Sequence, residues 1–193
     1  MDLVIKKLSP ELIEDWLNFF DHEAFCDDGE WSGCYCMCYH WNKELAKKKS
    51  WDCSAEDAPY NRQCAIELIK SGTMRGYLAY LNGKVVGWCN ANAKQAYDNV
   101  NFNLSADKSL KDNKIKSVVC FCISPNFRGK GIASKLLNRV CADAKKEGFD
   151  CVEAYPFKND IYKAYHGPRA MYEKNGFEVF GKAGECIVLR KIL

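Results

Sequence analysis

The sequence has no apolar run near the roughly 18 residues that a bilayer-spanning helix needs, so nothing in it reads as a membrane span. It also lacks a strong charge of either sign. A net charge of +3 makes no electrostatic case for nucleic acid or an anionic membrane surface as partner. No C-x-x-C pair occurs, which removes the usual knuckle of a structural zinc site. No linker-like stretch, internal repeat or low-complexity tract divides the chain, so residues 1–193 are expected to form one domain. Met1-Asp2-Leu3-Val4-Ile5-Lys6-Lys7 does not have the form of a secretory signal, and a cytoplasmic location is the expectation. In that setting the twelve cysteines are expected to be reduced, and those inside apolar segments to pack as small hydrophobes.

What is present is a globular composition, 48% hydrophobic and 13% aromatic, in a chain long enough for one α/β domain with a full core. One stretch organises it. Val118-Val119-Cys120-Phe121-Cys122-Ile123 is a continuous apolar run, closed by Ser124-Pro125, and reads as a buried strand. From Ile132 the period changes: Ile132, Leu136, Leu137, Val140 and Ala144 share one helical face. Between them lie Arg128, Gly129, Lys130 and Gly131, a tight turn that aims backbone N–H groups and a helix N-terminus at one point. That is an anion site, most naturally for phosphate.

Three phosphate motifs share this architecture. A P-loop requires G-x-x-x-x-G-K-[ST], but Ser124 stands where its first glycine belongs. A dinucleotide fingerprint counted from Gly129 reaches Ser134 at its third small position, and no second βαβ half is evident. The third pattern, [QR]-x-x-G-x-[GA], is matched in full by Arg128-Gly129-Lys130-Gly131-Ile132-Ala133.

Around this unit the chain reads β-α-α-β-β-β-α-β-α-β-β. The opening strand is 3–8, followed by a helix over 11–20 behind Ser9-Pro10 and a second helix from Ser54 to about Lys70. Two strands, 75–81 and 84–91, are joined by Asn82-Gly83, the strongest short hairpin signal. Residues 93–114 are polar and weakly periodic and read as an insertion, either a lid or plain surface. After the long helix come a strand over 149–155, a short helix over 168–175 closed by Gly176, and a final antiparallel pair. Cys34, Cys36, Cys38 and His40 alternate. On an extended segment they would share one face, as a wall beside the substrate or, less naturally, as zinc ligands.

The 128–133 turn with its flanks resembles the pyrophosphate motif of the GNAT superfamily of acyl-CoA-dependent N-acyltransferases. Arg169-Ala170-Met171-Tyr172-Glu173-Lys174-Asn175-Gly176-Phe177 is similar to that family's A-x-x-x-Y-x-x-x-G-F segment, though shorter between Ala and Tyr. Gly33-Cys34-Tyr35-Cys36-Met37, Val86-Gly87-Trp88-Cys89 and Val152-Glu153-Ala154-Tyr155-Pro156 resemble a bacterial subgroup whose members mostly lack an assigned substrate. The resemblance implies a mixed, largely antiparallel six- to seven-stranded α/β fold with helices on both faces. It implies acetyl-CoA as acyl donor and no metal. The pyrophosphate would be held by Arg128, Gly129, Lys130, Gly131, Ile132 and Ala133. The pantetheine arm would insert beside the motif strand, where a backbone N–H near Cys122 or Ile123 would polarise the thioester.

On this footing an amine of a small molecule attacks directly in a ternary complex. Glu153 is the first candidate base, acting through water, against the alternative of a surface-facing strand residue. Tyr172 matches the position that protonates the leaving thiolate, and its alternative is a packing aromatic. His40 and His166 are further proton-transfer candidates. Cys122 as nucleophile is disfavoured, because a buried thiol is inert. Asp27, Asp28 and Glu30 could attract a cationic amine. A non-catalytic acyl-CoA sensor, and a thiol-rich metal or redox protein, remain as readings from other classes. No nucleic acid or membrane partner is expected, and the oligomer is a monomer or a homodimer.

Overall fold

The computed structural model describes residues 2–27, 29, 31–41, 55–97, 114–158 and 164–193. Its centre is a seven-stranded sheet of β1 (Leu3–Lys7), β2 (Gly76–Leu81), β3 (Lys84–Ala93), β4 (Ile115–Ile123), β5 (Cys151–Ala154), β6 (Glu178–Ala183) and β7 (Cys186–Ile192), in the spatial order β1-β2-β3-β4-β5-β7-β6. Only β4 and β5 pair in parallel, through the crossover that carries the long helix. The helices are α1 (Ile13–Asn18), α2 (Ala58–Lys70), α3 (Ile132–Lys146) and α4 (Arg169–Lys174). α1, α2 and the segment 31–41 cover one face of the sheet, and α3 and α4 cover the other.

The order of elements and the mixed sheet agree with the reading of the sequence, and local causes are visible. Asn82 (φ 51°) and Gly83 (φ 79°) both take the left-handed conformation, the two-residue turn that Asn-Gly selects. α3 buries Leu136, Leu137, Val140 and Ala144, the stripe read from the period. Burying a leucine or valine of this kind is worth roughly 1.5–3 kcal/mol.

Three local expectations need correction. The first helix is a composite: a 3-10 turn (Pro10–Leu12) leads into α1, which widens into a π turn (Phe19–Glu23) that buries Phe19 beside Phe20. Strand β4 begins at Ile115, because Lys116 tolerates burial by pairing with Glu147 at 2.9 Å and lying 4.9 Å over the Phe149 ring. Cys34 to His40 are not extended. Tyr35 (φ 41°) and Cys36 (φ 56°) turn left-handed and lead into a 3-10 turn, Met37–Tyr39, so no alternating face of thiols exists. The proposed cap Ser54, the basic stretch 43–49 and most of the 93–114 insertion lie outside the described residues.

Gly87 sets the fit between sheet and helix. A Cβ there would lie 2.8 Å from Ile123 Cδ1 and 3.2 Å from Ile132 Cγ2. Its absence lets the first turn of α3 rest on β3 and β4.

Candidate functional site

The site begins where two strands part. The β4–β5 register runs from Ile115↔Cys151 to Val118↔Ala154 and stops. Beyond Ala154 the chain stays with β7: Ile187 N–H donates to Pro156 O at 2.8 Å and Lys158 N–H to Glu185 O at 2.9 Å. β4 meanwhile continues to Ile123 with β3 as its strand partner. At the same point the β3–β4 register steps from Asn90↔Cys120 to Ala91↔Val118, leaving Val119 as a bulge. Bulges bend a strand and redirect its side chains. Here Val119 and Cys120 both fall on the face covered by α1 and α2. A wedge therefore opens between β4 and the chain at Tyr155-Pro156.

Ladder alternation decides which β4 amides face this wedge. Ser124 N–H donates to Val86 O at 3.0 Å, toward β3. Cys122, two residues earlier, then bonds toward β3, while Phe121 and Ile123 turn their peptide groups to the wedge. The Ile123 carbonyl, free of β3, accepts from Arg128 Nε at 3.1 Å. Of the two residues proposed for polarising an acyl oxygen, the geometry favours Ile123. The Cys122 thiol points into the core toward Ala24 O at 3.8 Å, and burial pushes its pKa up.

The turn after β4 is solvent-open. Gly129 (φ 74°) and Gly131 (φ 76°) are left-handed, and a Cβ at either would meet nothing within 4 Å. Gly131 caps α3 without a side-chain hydrogen bond, so the first N–H groups of the helix keep their donor capacity. Ile132 packs into the core and anchors the turn, while Ala133 is half-buried beside it. Arg128 is held by Asp27 at 2.6 Å, and Lys130 lies 5.1 Å over the Phe127 ring. Asp27 thus steadies the turn instead of waiting for an amine. Asp28 and Glu30 lie outside the described residues.

The two residues read from the sequence as base and acid are both fully buried. Glu153 accepts from Arg190 Nε at 3.0 Å and Nη2 at 2.5 Å, pairs with Lys94 at 3.2 Å and accepts from Tyr155 O–H at 2.9 Å. It is not the surface residue of the alternative reading; it neutralises a buried guanidinium. Tyr172 packs against Phe121 and Phe177 and donates its O–H to His166 O at 2.5 Å. Burial raises its pKa well above that of a free phenol. His166 is the hub. Its Nδ1 lies 2.5 Å from Tyr155 O, which can only accept, so Nδ1 carries the proton. Nε2 shares a second hydrogen bond with the Tyr39 hydroxyl at 2.7 Å. Proximity to Tyr155, Tyr39 and Tyr172 made His166 central, and nothing in the sequence spacing announces it.

Segment 31–41 is pinned to this face from several sides. Tyr35 O–H donates to Asp21 at 2.6 Å, and Asn61 Nδ2 to Gly33 O at 3.0 Å. Beneath it, Asn90 Nδ2 lies 3.3 Å from Cys36 Sγ and 3.4 Å from His40 Nε2, while Tyr97 O–H donates to Asn90 Oδ1 at 2.8 Å. Burial lowers the His40 pKa to about 4, so its ring is neutral at ordinary pH. His40 Nδ1 and Trp88 Nε1 are buried without hydrogen-bond partners. Among the described residues no group of three or more His, Cys, Asp or Glu is placed to hold a metal ion, and no helix is long and apolar enough to cross a membrane.

The same layout recurs in known proteins. A family model described as acetyltransferase (GNAT) family matches residues 36–177. No curated protein sequence is similar to the chain. Among solved structures, the PaiA N-acetyltransferase of Thermoplasma acidophilum in complex with coenzyme A superposes with a TM-score of 0.59 at 17% identity, over 100% of both chains. A GNAT-family acetyltransferase from Streptococcus pneumoniae gives 0.58 at 16% identity, covering 100% of this chain and 99% of its own. A ribosomal-protein-alanine N-acetyltransferase from Brucella melitensis gives 0.54 at 15%, covering 98% and 99%. At these identities the superpositions speak to the fold.

Proposed function

The chain belongs to the GNAT acetyltransferase family, and on that footing we propose that it transfers an acetyl group from acetyl-CoA to the primary amine of a small molecule. The observation that carries this is the wedge between β4 and β5, which opens at Val118↔Ala154 on the strand that leads into the glycine turn.

The residues present fit a coenzyme A donor. The open space around Gly129 and Gly131 lets a pyrophosphate approach the backbone from Arg128 to Ala133, where a side chain would stand in the way. Charge-assisted bonds from such amides are worth roughly 1.5–3 kcal/mol each. When bound, the donor supplies an activated thioester. Ile123 N–H, turned to the wedge, is the group placed to hold its carbonyl oxygen. Cys120, Tyr155 and the Tyr39–His166 pair lie on the face covered by segment 31–41, next to where the β4–β5 pairing ends, and on this reading that face receives the amine. His166 Nε2, reached through the Tyr39 hydroxyl, takes the amine's proton on this reading in preference to Glu153, which is already held by two cations.

A binding and turnover pair tests the reading. Acetyl-CoA should raise the melting temperature, and a panel of small primary amines should release free coenzyme A thiol. A melting temperature indifferent to acetyl-CoA would remove the donor assignment. Binding without thiol release from any amine, with release on a peptide amine instead, would move the acceptor to another class.

A further inference from the structure

We propose that the amine acceptor carries a flat aromatic body, and that Trp31, Phe157 and Tyr165 select it by packing against that body beside Tyr39 and His166. This rests on the acetyl-transfer reading above and narrows its acceptor to arylalkylamines.

His166 is tied to the place where the sheet parts. Val118↔Ala154 is the last β4–β5 pair. Tyr155, the next residue along, accepts from His166 Nδ1 through its carbonyl oxygen at 2.5 Å. The 3-10 turn that carries the ring, Ala164–His166, packs against β4. Toward the opposite face, His166 O accepts from Tyr172, whose ring lies 6.3 Å from that of Phe121 on β4. The histidine is thus held between β4 and the end of β5, and its Nε2 shares a hydrogen bond with the Tyr39 hydroxyl at 2.7 Å.

Rings from three separate parts of the chain gather around it. The Phe157 ring stacks on the His166 imidazole, with centroids 4.5 Å apart and planes at 28°. Tyr165 meets the same imidazole edge-on at 4.7 Å and Phe157 edge-on at 5.9 Å. Trp31 meets Tyr165 edge-on at 5.1 Å. Each ring has its own support. Trp31 O accepts from Cys34 N–H at 3.1 Å, in the turn that Asn61 pins through Gly33 O. Phe157 bridges to Cys186 on β7, and Tyr165 shares the 3-10 turn of His166. Trp31, Phe157 and Tyr165 are half-buried, whereas Tyr39 and His166 are buried. Burial therefore deepens from the three rings toward the hydroxyl and the imidazole. That is the layout of a small-molecule site, with aromatic walls and a few polar groups at the inner end.

The walls decide the acceptor. Aromatic rings attract a further ring through offset-stacked and edge-to-face contacts, beyond the area they bury. Glu153, joined to this group through the Tyr155 hydroxyl, is already held by Arg190 and Lys94, so its charge is spent before a second ammonium group arrives. A polyamine or an amino acid would give up water against the ring surfaces, whereas an arylalkylamine brings a ring to them. The transfer itself is unchanged. The amine nitrogen bonds the acetyl carbon and the carbon–sulfur bond to coenzyme A breaks. The thiolate leaves and takes a proton from solvent, and the amine's proton passes by way of the Tyr39 hydroxyl toward His166.

Thiol release from acetyl-CoA, measured with phenethylamine, methylamine and spermidine, tests the proposal. In the wild type kcat/KM for phenethylamine should exceed that for each of the other two by at least about 10-fold. In Trp31→Ala and in Phe157→Leu that preference should collapse through KM, with the acetyl-CoA melting shift retained, and Trp31→Phe should keep most of it. Phenethylamine added to the protein saturated with coenzyme A should also change the tryptophan fluorescence, and Trp31→Ala should lose that change. Equal kcat/KM for phenethylamine and methylamine, or a preference for spermidine, would overturn the proposal while leaving acetyl transfer intact. A preference that survives both Trp31→Ala and Phe157→Leu would overturn the assignment of these rings. No thiol release with any amine, or no acetyl-CoA melting shift, would instead fault the reading on which it rests.

Discussion

The hydroxyl of Tyr172 donates to the carbonyl oxygen of His166 at 2.5 Å, in a shell that leaves the ring no exposure. The same histidine shares a hydrogen bond with the Tyr39 hydroxyl and donates to Tyr155 O, so α4, the end of β5 and segment 31–41 meet in one hydrogen-bonded chain. An acid for a leaving thiolate would need a proton free to leave, and this one is committed.

Tyr172→Phe should therefore act on stability more than on chemistry. Leaving a buried carbonyl without its donor costs about 1–3 kcal/mol, a drop of several degrees in melting temperature for a chain of this size. Turnover at saturating amine should fall less than about 10-fold, whereas loss of a general acid costs about 10²-fold or more. Calorimetry beside steady-state kinetics separates the two roles, and a large turnover loss at unchanged stability would restore Tyr172 as the acid.

Glu153 offers the parallel case on β5. It is buried against Arg190, whose side chain is 7% exposed, and against Lys94. Glu153→Gln leaves a buried guanidinium without its charge partner, a defect of about 3–5 kcal/mol. Chemical denaturation should show a large loss, partly recovered in the double variant Glu153→Gln/Arg190→Met. A variant of normal stability and lost turnover would instead mark Glu153 as the base.

How much of this was legible follows from where each signal resides. The turn from Arg128 to Ala133, the α3 stripe and Asn82-Gly83 depend on neighbours in sequence, and each was read with the correct type and place. The roles of Glu153 and Tyr172 depend on partners such as Arg190 and His166, which are distant in sequence, and spacing carries no record of them. Cys34, Cys36 and Cys38 show the opposite hazard. Their alternation is real, but Tyr35 and Cys36 break the extended backbone on which alternation would have meaning.

His40 predicts a pH dependence of stability. Its folded-state pKa is about 4, below the 6.5 expected when unfolded, because burial disfavours the charged ring. The unfolded chain thus binds a proton first as pH falls. Stability is full above about pH 6.5 and is lost toward pH 4, by up to about 3 kcal/mol if the whole difference is expressed. Thermal melts of the wild type and His40→Asn from pH 8 to pH 4 should converge as pH falls. Parallel curves would show that His40 is neither buried nor neutral in the way described.

Gly87→Val tests the seat of the turn. The added side chain collides with Ile123 and Ile132, and overpacking of this kind costs about 1–3 kcal/mol. Because Ile132 opens α3, acetyl-CoA affinity should fall along with stability when followed by calorimetric titration. Unchanged affinity would mean that the turn holds its shape without this contact.

The most direct measurement is the release of coenzyme A thiol from acetyl-CoA, followed with a panel of small primary amines for the wild type and for Gly129→Val/Gly131→Val. The wild type should release thiol in an amine-dependent way. The double variant, with its fold checked by circular dichroism because a branched side chain is strained at φ 74° and 76°, should release none at acetyl-CoA concentrations that saturate the wild type. Equal release by both proteins, or none from the wild type with any amine, would contradict acetyl transfer organised around the 128–133 turn.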